Sequence, residues 1–272
     1  MSGDTLGVIA GNGRLPELVI QAARDAGRAV FVVVLDGTEN PARFADLPHA
    51  VIRIGAAGRI IAALKQAGVG DLVLAGGIKR PSFSTVMPDV RGARLLARVA
   101  TRIGQGDDAL LKAVIADLET EGFRVVGADQ VVEGLNAPPG IWGRVQADDQ
   151  ARADVRRGIE VLEALGRLDI GQAVVVQQGV VLGVEAIEGT AALIARAGDL
   201  ARPGARPVLV KTAKPGQERR VDWPTIGSET IDQLARAGFA GLAVGAGRVL
   251  VIDRPALIAA ADRGGLFIMG AT

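Results

Sequence analysis

A chain of 272 residues with no cysteine excludes disulfides, thiolate nucleophiles and cysteine-based zinc sites. Its 31 basic and 30 acidic side chains balance to a net charge of +1, and no Lys/Arg run or aromatic-basic interleaving marks a nucleic-acid surface. His49 is the only histidine and tyrosine is absent, so a multi-histidine metal site is impossible. Oxygen ligands then favour Mg²⁺, with Mn²⁺ as the alternative, over Zn²⁺.

Hydrophobic residues make up 49% of the chain and aromatics only 3%, so the core is aliphatic. A chain of this size removes roughly 70–75% of its unfolded surface from water on folding. The start shows no basic segment followed by an apolar stretch, and no uncharged apolar run reaches the ~18 residues of a membrane span. A cytoplasmic protein is expected.

In the first half, strand and helix signals alternate. Leu6–Ala10 is an apolar strand, and a helix runs from Pro16 to the stop at Gly27. Ala29–Leu35 is a second strand, Val51–Ile54 a third, Ala57–Ala67 a helix, and Asp71–Ala75 a strand emptying into Gly76-Gly77. Helices over Arg91–Ile103 and Asp107–Glu121 precede a strand at Phe123–Gly127. Continuous apolar strands separated by helices predict a parallel sheet covered on both faces. Residues 135–146, with paired prolines, are the expected linker between domains at 1–134 and 147–272.

A charged helix over Ala147–Leu165 opens the second half. A hairpin turns at Gln178-Gly179 between Ala173 and Glu185, and a helix starts near Thr190. Pro207–Lys211, Gly241–Gly245 and Arg248–Ile252 are strands, with a helix between Gly227 and Gly238. The fold class is therefore α/β, a Rossmann-like parallel N-terminal domain followed by a mixed α/β C-terminal domain.

Gly11-Asn12-Gly13 joins the first strand to the first helix, where glycines let backbone N–H groups approach an anion. The dinucleotide pattern Gly-x-Gly-x-x-Gly is incomplete here, because Pro16 holds its sixth place, although Asp36 stands at a distance suited to a ribose hydroxyl. Gly76, Gly77, Lys79 and Arg80 follow another strand, where open parallel sheets bind ligands. Asp107 and Asp108 open a helix and are read as N-cap residues or as polar ligands. In the second half Glu185, Glu188, Thr190, Lys211, Lys214, Arg220, Asp222 and Thr225 cluster on segments after apolar strands. Arg220 and Asp222 share strand parity and are expected on one face. Carboxylates, cations and a hydroxyl are the parts phosphoryl chemistry uses.

Gly7–Pro16, Gly76–Pro81, Gly106–Leu111, Val175–Thr190, Val208–Lys211 and Arg220–Gly227 together, in order across nearly the whole chain, resemble a known family. It is the UDP-2,3-diacylglucosamine diphosphatase of Gram-negative lipid A synthesis, in the form unrelated to calcineurin-like phosphoesterases. The resemblance implies two linked domains holding the substrate between them, and Mg²⁺-dependent hydrolysis to 2,3-diacylglucosamine 1-phosphate and UMP. It implies that Asp222 is the essential aspartate and, with Glu185, a metal ligand. Gln178, Thr190, Lys211, Lys214 and Thr225 would contact the lipid phosphate, and Gly11, Asn12, Gly13, Gly76, Gly77 and Lys79 the rest of the substrate. An amphiphilic substrate adds peripheral inner-membrane contact as an expectation, and a homodimer is the expected assembly. A non-catalytic UDP-sugar or glycolipid carrier and a nicotinamide-dependent oxidoreductase are the alternatives.

Overall fold

A computed structural model describes residues 5–38, 40–78, 88–100 and 107–272. The chain forms two compact units: Met1–Glu133 together with Glu218–Asp222, and Gly134–Gln217 together with Trp223–Thr272.

Unit 1 contains β1 (Thr5–Ala10), α1 (Leu15–Asp25), β2 (Val30–Leu35), β3 (His49–Ile52), α2 (Ala57–Gln66), β4 (Val69–Ala75), α3 (Val90–Ala100), α4 (Asp107–Thr120) and β5 (Arg124–Val125). Its sheet is parallel throughout, in the order β3-β2-β1-β4-β5. Alternate residues of a strand face opposite sides. Ile9, Val33, Leu35 and Leu72 pack with Ile60, Ile61 and Leu64 of α2 and with Ile115 and Leu118 of α4. The opposite face meets α1, which buries Pro16, Val19, Ile20 and Ala23. The third strand starts at His49 rather than Val51, because its register to β2 pairs His49 with Val32. His49 itself is exposed, with ring Nδ1 2.8 Å from the Leu47 carbonyl oxygen.

At the strand starts, Asp71 accepts two hydrogen bonds from Arg124 and one from Arg28, tying β5 to β4. The Arg124 guanidinium, helped by Arg28, holds the Asp71 carboxyl below its usual range against burial. Asp89 joins two helix starts in the same way. One carboxylate oxygen accepts N–H bonds from Gly58 and Arg59 at the start of α2, and the other from Gly92 in α3. Gly92 has no room for a side chain, since a Cβ would lie 2.1 Å from the Gly55 carbonyl oxygen.

Unit 2 contains β6 (Gly140–Ile141), α5 (Asp149–Gly166), β7 (Ala173–Gln177), β8 (Val180–Val184), α6 (Thr190–Asp199), β9 (Val208–Lys211), β10 (Thr225–Ile226), α7 (Ser228–Arg236), β11 (Gly241–Gly245), β12 (Leu250–Val251), α8 (Arg254–Gly264) and β13 (Phe267–Ala271). Its main sheet has the order β6-β13-β11-β9-β7-β8, and β10 pairs with β12 apart from it. Strands β13, β11 and β9 are parallel, whereas β7 is antiparallel to β9 and to β8. Two reversals make β8 run with β9, so the carboxyl ends of β8, β9, β11 and β13 share one edge. Only α5 covers one face among the described residues, packing on Val174, Val176, Val208 and Val210. Helices α6, α7 and α8 cover the other. Gly158 brings α5 close, because a Cβ there would lie 2.5 Å from Val210 Cγ2.

The expected linker is built into unit 2. Ala137 donates to the Val249 carbonyl, Val251 donates to that of Leu135, and Trp142 donates to that of Ile268. Short stretches read as strands shrink where loops take over: Phe123–Gly127 to β5, and Arg248–Ile252 to β12. The expectation that Arg220 and Asp222 project from one strand face is corrected. Residues 219–221 form a turn, and the Asp222 N–H donates to the Glu218 carbonyl one helical turn back.

Burial raises the Asp89 pKa, but N–H donation from Gly92, Arg59, Gly58 and Arg91 outweighs it, leaving the group below its usual range. A folded pKa below the unfolded one gives stability that is complete above the unfolded aspartate range and is lost as pH falls through the folded value. Asp89→Ala is therefore expected to cost about 1–2 kcal/mol at neutral pH, as removal of a helix cap does. Its difference from wild type should shrink in acid, as urea unfolding at pH 7 and pH 3 would measure.

Candidate functional site

In unit 1 the loops after β1 and β4 meet where the strand order reverses, the place ligands occupy in open parallel sheets. Asn12 and Gly77 exchange backbone hydrogen bonds of 2.8 and 3.1 Å, and the Gly11 N–H donates to the Ala75 carbonyl. Neither loop admits a side chain at the contact. A Cβ on Gly11 would lie 2.6 Å from the Gly77 oxygen, and one on Gly76, at φ +89°, would lie 2.3 Å from the Asn12 oxygen. Pro16, in place of the third fingerprint glycine, is buried in the first turn of α1 near Gly76. Arg43 closes the back of this loop, donating to the Gly13 and Gly11 carbonyls at 2.8 and 2.7 Å while stacking on Phe44. The structure thus brings together Gly11, Asn12, Gly13, Gly76 and Gly77. Lys79, Arg80 and Gly106 lie outside the described residues, and Asp36 is exposed just past β2.

Asp222 belongs to the short segment that joins this unit. Glu218 grips the Arg220 guanidinium with both carboxylate oxygens at 2.9 Å, and Arg220 also donates to Glu119 of α4 at 2.6 Å. These carboxylates, Glu218 first, hold the Arg220 guanidinium protonated more firmly than usual. Val221 packs against the core beneath α4. The backbone that leads into half-buried Asp222 is thereby held in place.

Unit 2 places its charges on the shared carboxyl edge. Lys211, the last residue of β9, is 9% exposed, and its Nζ donates to Thr190 Oγ1 at 2.9 Å. The Thr190 hydroxyl donates in turn to Glu185 Oε1 at 2.6 Å, and Glu185 Oε2 accepts the Gln172 N–H. Burial pushes the Lys211 pKa down, and the charge of Glu185 pulls it part of the way back. Lys214, on the loop after β9, forms an ion pair with Asp169 ahead of β7.

Two expected members stand elsewhere. Gln178 lies in the β7–β8 turn, at the far end of those strands from Lys211. Its N–H and that of Gly179 are held by the fully buried Asp154 carboxylate at 2.9 and 2.7 Å, while both turn residues take positive φ. Thr225 is in β10 of the separate sheet, its hydroxyl donating to the Trp223 carbonyl. Arg248 follows β11 and donates from Nη2 to the Ala213 carbonyl at 2.7 Å.

Each unit thus ends its parallel strands in its own way, close-packed backbone in one and buried charge in the other. Together they define an α/β protein suited to an anionic ligand at strand carboxyl ends. The chain belongs to the LpxI family: residues 5–135 match the LpxI N-terminal domain and residues 138–269 the LpxI C-terminal domain. It is 44% identical over 271 residues to the UDP-2,3-diacylglucosamine pyrophosphatase LpxI of Caulobacter vibrioides, covering 97% of this chain and 96% of that one. Among solved structures, the biotin carboxylase subunit of pyruvate carboxylase is 12% identical over 64% of this chain, with a TM-score of 0.28. The ADP complex of N5-carboxyaminoimidazole ribonucleotide synthetase is 16% identical over 70%, with a TM-score of 0.25. This chain spans 34% and 40% of those two, likenesses too slight to carry an argument.

Thr190→Val removes the donor to Glu185 and the acceptor for a buried ammonium. It is expected to cost about 2–3 kcal/mol, the range for hydrogen bonds to charged groups, with Thr190→Ser recovering most of it. Urea denaturation of the three proteins would measure this, and equal midpoints would contradict the bridging role.

Proposed function

We propose that this chain hydrolyses the diphosphate of UDP-2,3-diacylglucosamine, releasing 2,3-diacylglucosamine 1-phosphate and UMP. The observation that carries the reading is end-to-end similarity to a pyrophosphatase of that substrate, at 44% identity over 97% of the chain. The site chemistry supports it. The start of α1 just after the Gly11–Gly13 loop and a buried lysine suit phosphate oxygens.

Mg²⁺ is the metal we propose. Among the described residues no three acidic or histidine side chains converge on one point, so an all-protein cage is not the fit. Mg²⁺ does not need one, since it is commonly held by one or two carboxylates with substrate phosphates and water. Asp222 is our first choice of ligand. Glu185 is the weaker choice, because both of its oxygens already accept hydrogen bonds. Bound there, the ion would supply charge neutralisation on the diphosphate. Asp222 would orient the attacking water or hold the ion, and the grip on Arg220 keeps its backbone in place.

We place the enzyme in the cytoplasm with peripheral contact to the inner membrane. No helix among the described residues is long and apolar enough to cross a membrane. On the edge of unit 2 that carries Lys211, however, Leu168, Ile170 and Ile187 are 70%, 40% and 99% exposed. Their loops touch, since Gly171 has no room for a side chain beside the Glu185 carbonyl. Nearby acids are matched, Asp169 with Lys214 and Glu188 with Arg196, and Arg167 is exposed beside them. An apolar tip without net negative charge suits an anionic bilayer surface.

Purified protein with Mg²⁺ should release UMP from UDP-2,3-diacylglucosamine, and EDTA should stop it. Asp222→Ala should lower kcat by about 10²–10⁴-fold, the range for removal of a proton-transfer or water-orienting group, with an unchanged melting temperature. Wild-type turnover by that variant would remove Asp222 from the mechanism. For the membrane contact, Leu168→Asp with Ile187→Asp should reduce co-sedimentation with phosphatidylglycerol vesicles. An unchanged bound fraction, or a dimer lost in the double variant, would assign the tip elsewhere.

A further inference from the structure

We infer that Arg248 binds a phosphate oxygen of the substrate at the carboxyl ends of β9 and β11, an assignment that rests on the diphosphatase reading. Arg248 is half-buried, yet among the described residues its guanidinium has no carboxylate partner. Its one hydrogen bond there goes to the neutral Ala213 carbonyl, two residues beyond Lys211. A guanidinium partly withdrawn from water without an anion is costly, and its planar fork is matched to phosphate oxygens.

The neighbouring residue carries an independent sign. Thr212 is 5% exposed, and its Oγ1 is buried with no hydrogen-bond partner. Native structures rarely leave such a group unsatisfied. Gly245 sets it beside the arginine, since a Cβ at that position would lie 2.2 Å from Thr212 Oγ1 and 3.2 Å from Arg248 Cβ. Thr212 Oγ1 and the base of the Arg248 side chain thus adjoin at the ends of parallel strands. A phosphate oxygen is an acceptor both can share, the hydroxyl by turning about its Cα–Cβ bond.

Arg248 also differs from Lys211 in kind. Burial pushes the Lys211 pKa down, and its Nζ is committed to Thr190. An arginine keeps its charge throughout the physiological range. Arg248 brings to this edge a planar fork that Lys211 lacks.

The test compares wild type with Arg248→Ala, Arg248→Lys and Thr212→Val by two readouts. One is KM and kcat for UMP release. The other is the shift in melting temperature caused by inorganic phosphate, which needs no turnover. Arg248→Ala should raise KM roughly 10–100-fold, the equivalent of one charge-assisted hydrogen bond, and abolish the phosphate shift. Arg248→Lys should restore part of both, keeping the charge but not the fork. Thr212→Val should melt higher than wild type, having lost an unsatisfied hydroxyl, yet show a raised KM. A strap that merely holds Ala213 predicts the opposite, a lower melting temperature for Arg248→Ala with KM and phosphate shift unchanged, and that result overturns the inference. No phosphate shift in wild type overturns it as well. A phosphate shift lost in Arg248→Ala, in a protein that releases no UMP, would leave the anion site standing and sink the diphosphatase reading.

Discussion

A buried ammonium must find an acceptor, and the carboxyl edge of unit 2 is arranged around that need. Lys211 is placed at the end of β9 with its neighbours Val208, Leu209 and Val210 fully enclosed, so its head cannot retreat far into water. The acceptor is the first residue of α6, which fixes where that helix begins. The same hydroxyl donates to the carboxylate just past β8, and that carboxylate holds the backbone ahead of β7. One hydrogen-bonded line therefore joins the starts and ends of four elements. A low-dielectric setting strengthens each link while making a missing one expensive.

Unit 1 builds its strand ends by leaving side chains out. Where β1 and β4 end, the contact between loops is backbone on backbone, and only glycine fits at Gly11 and Gly76. Charge enters through Arg43 on the Gly11 and Gly13 carbonyls, while the N–H groups of Gly11, Asn12 and Gly77 are held by backbone oxygens. The two units therefore end their strands in different ways. One packs backbone against backbone, and the other buries a lysine whose pKa that burial pushes down.

Much of this architecture was legible because local signals agree with the tertiary result. The valine run of β2 and the Gln178-Gly179 turn each carry their own instruction, an apolar strand buried on both faces and a turn that takes positive φ at two residues. The glycine loops after β1 and β4 were found for the same reason. Asp222 was singled out by resemblance, but its setting was not legible, since Arg220 answers to Glu119, 101 positions away. Parity along a supposed strand could not foresee that pairing. Gln178 shows a related limit, because motif proximity to Glu185 ignores that a hairpin sends its turn to the far end of the sheet. The last elements, α8 and β13, gave weak signals: α8 is rich in alanine and starts from Asp253 at positive φ, and β13 includes a glycine.

The five-residue visit of Glu218–Asp222 to unit 1 bears on how the protein is made. Synthesis proceeds from the amino terminus, and most of unit 1 is available once residue 133 has been added. Its final piece is encoded after β9, more than eighty residues later. Unit 1 is thus incomplete on the ribosome until much of unit 2 has emerged. Asp222 arrives with that last piece, so a prematurely terminated chain acquires the strands of the first sheet without it.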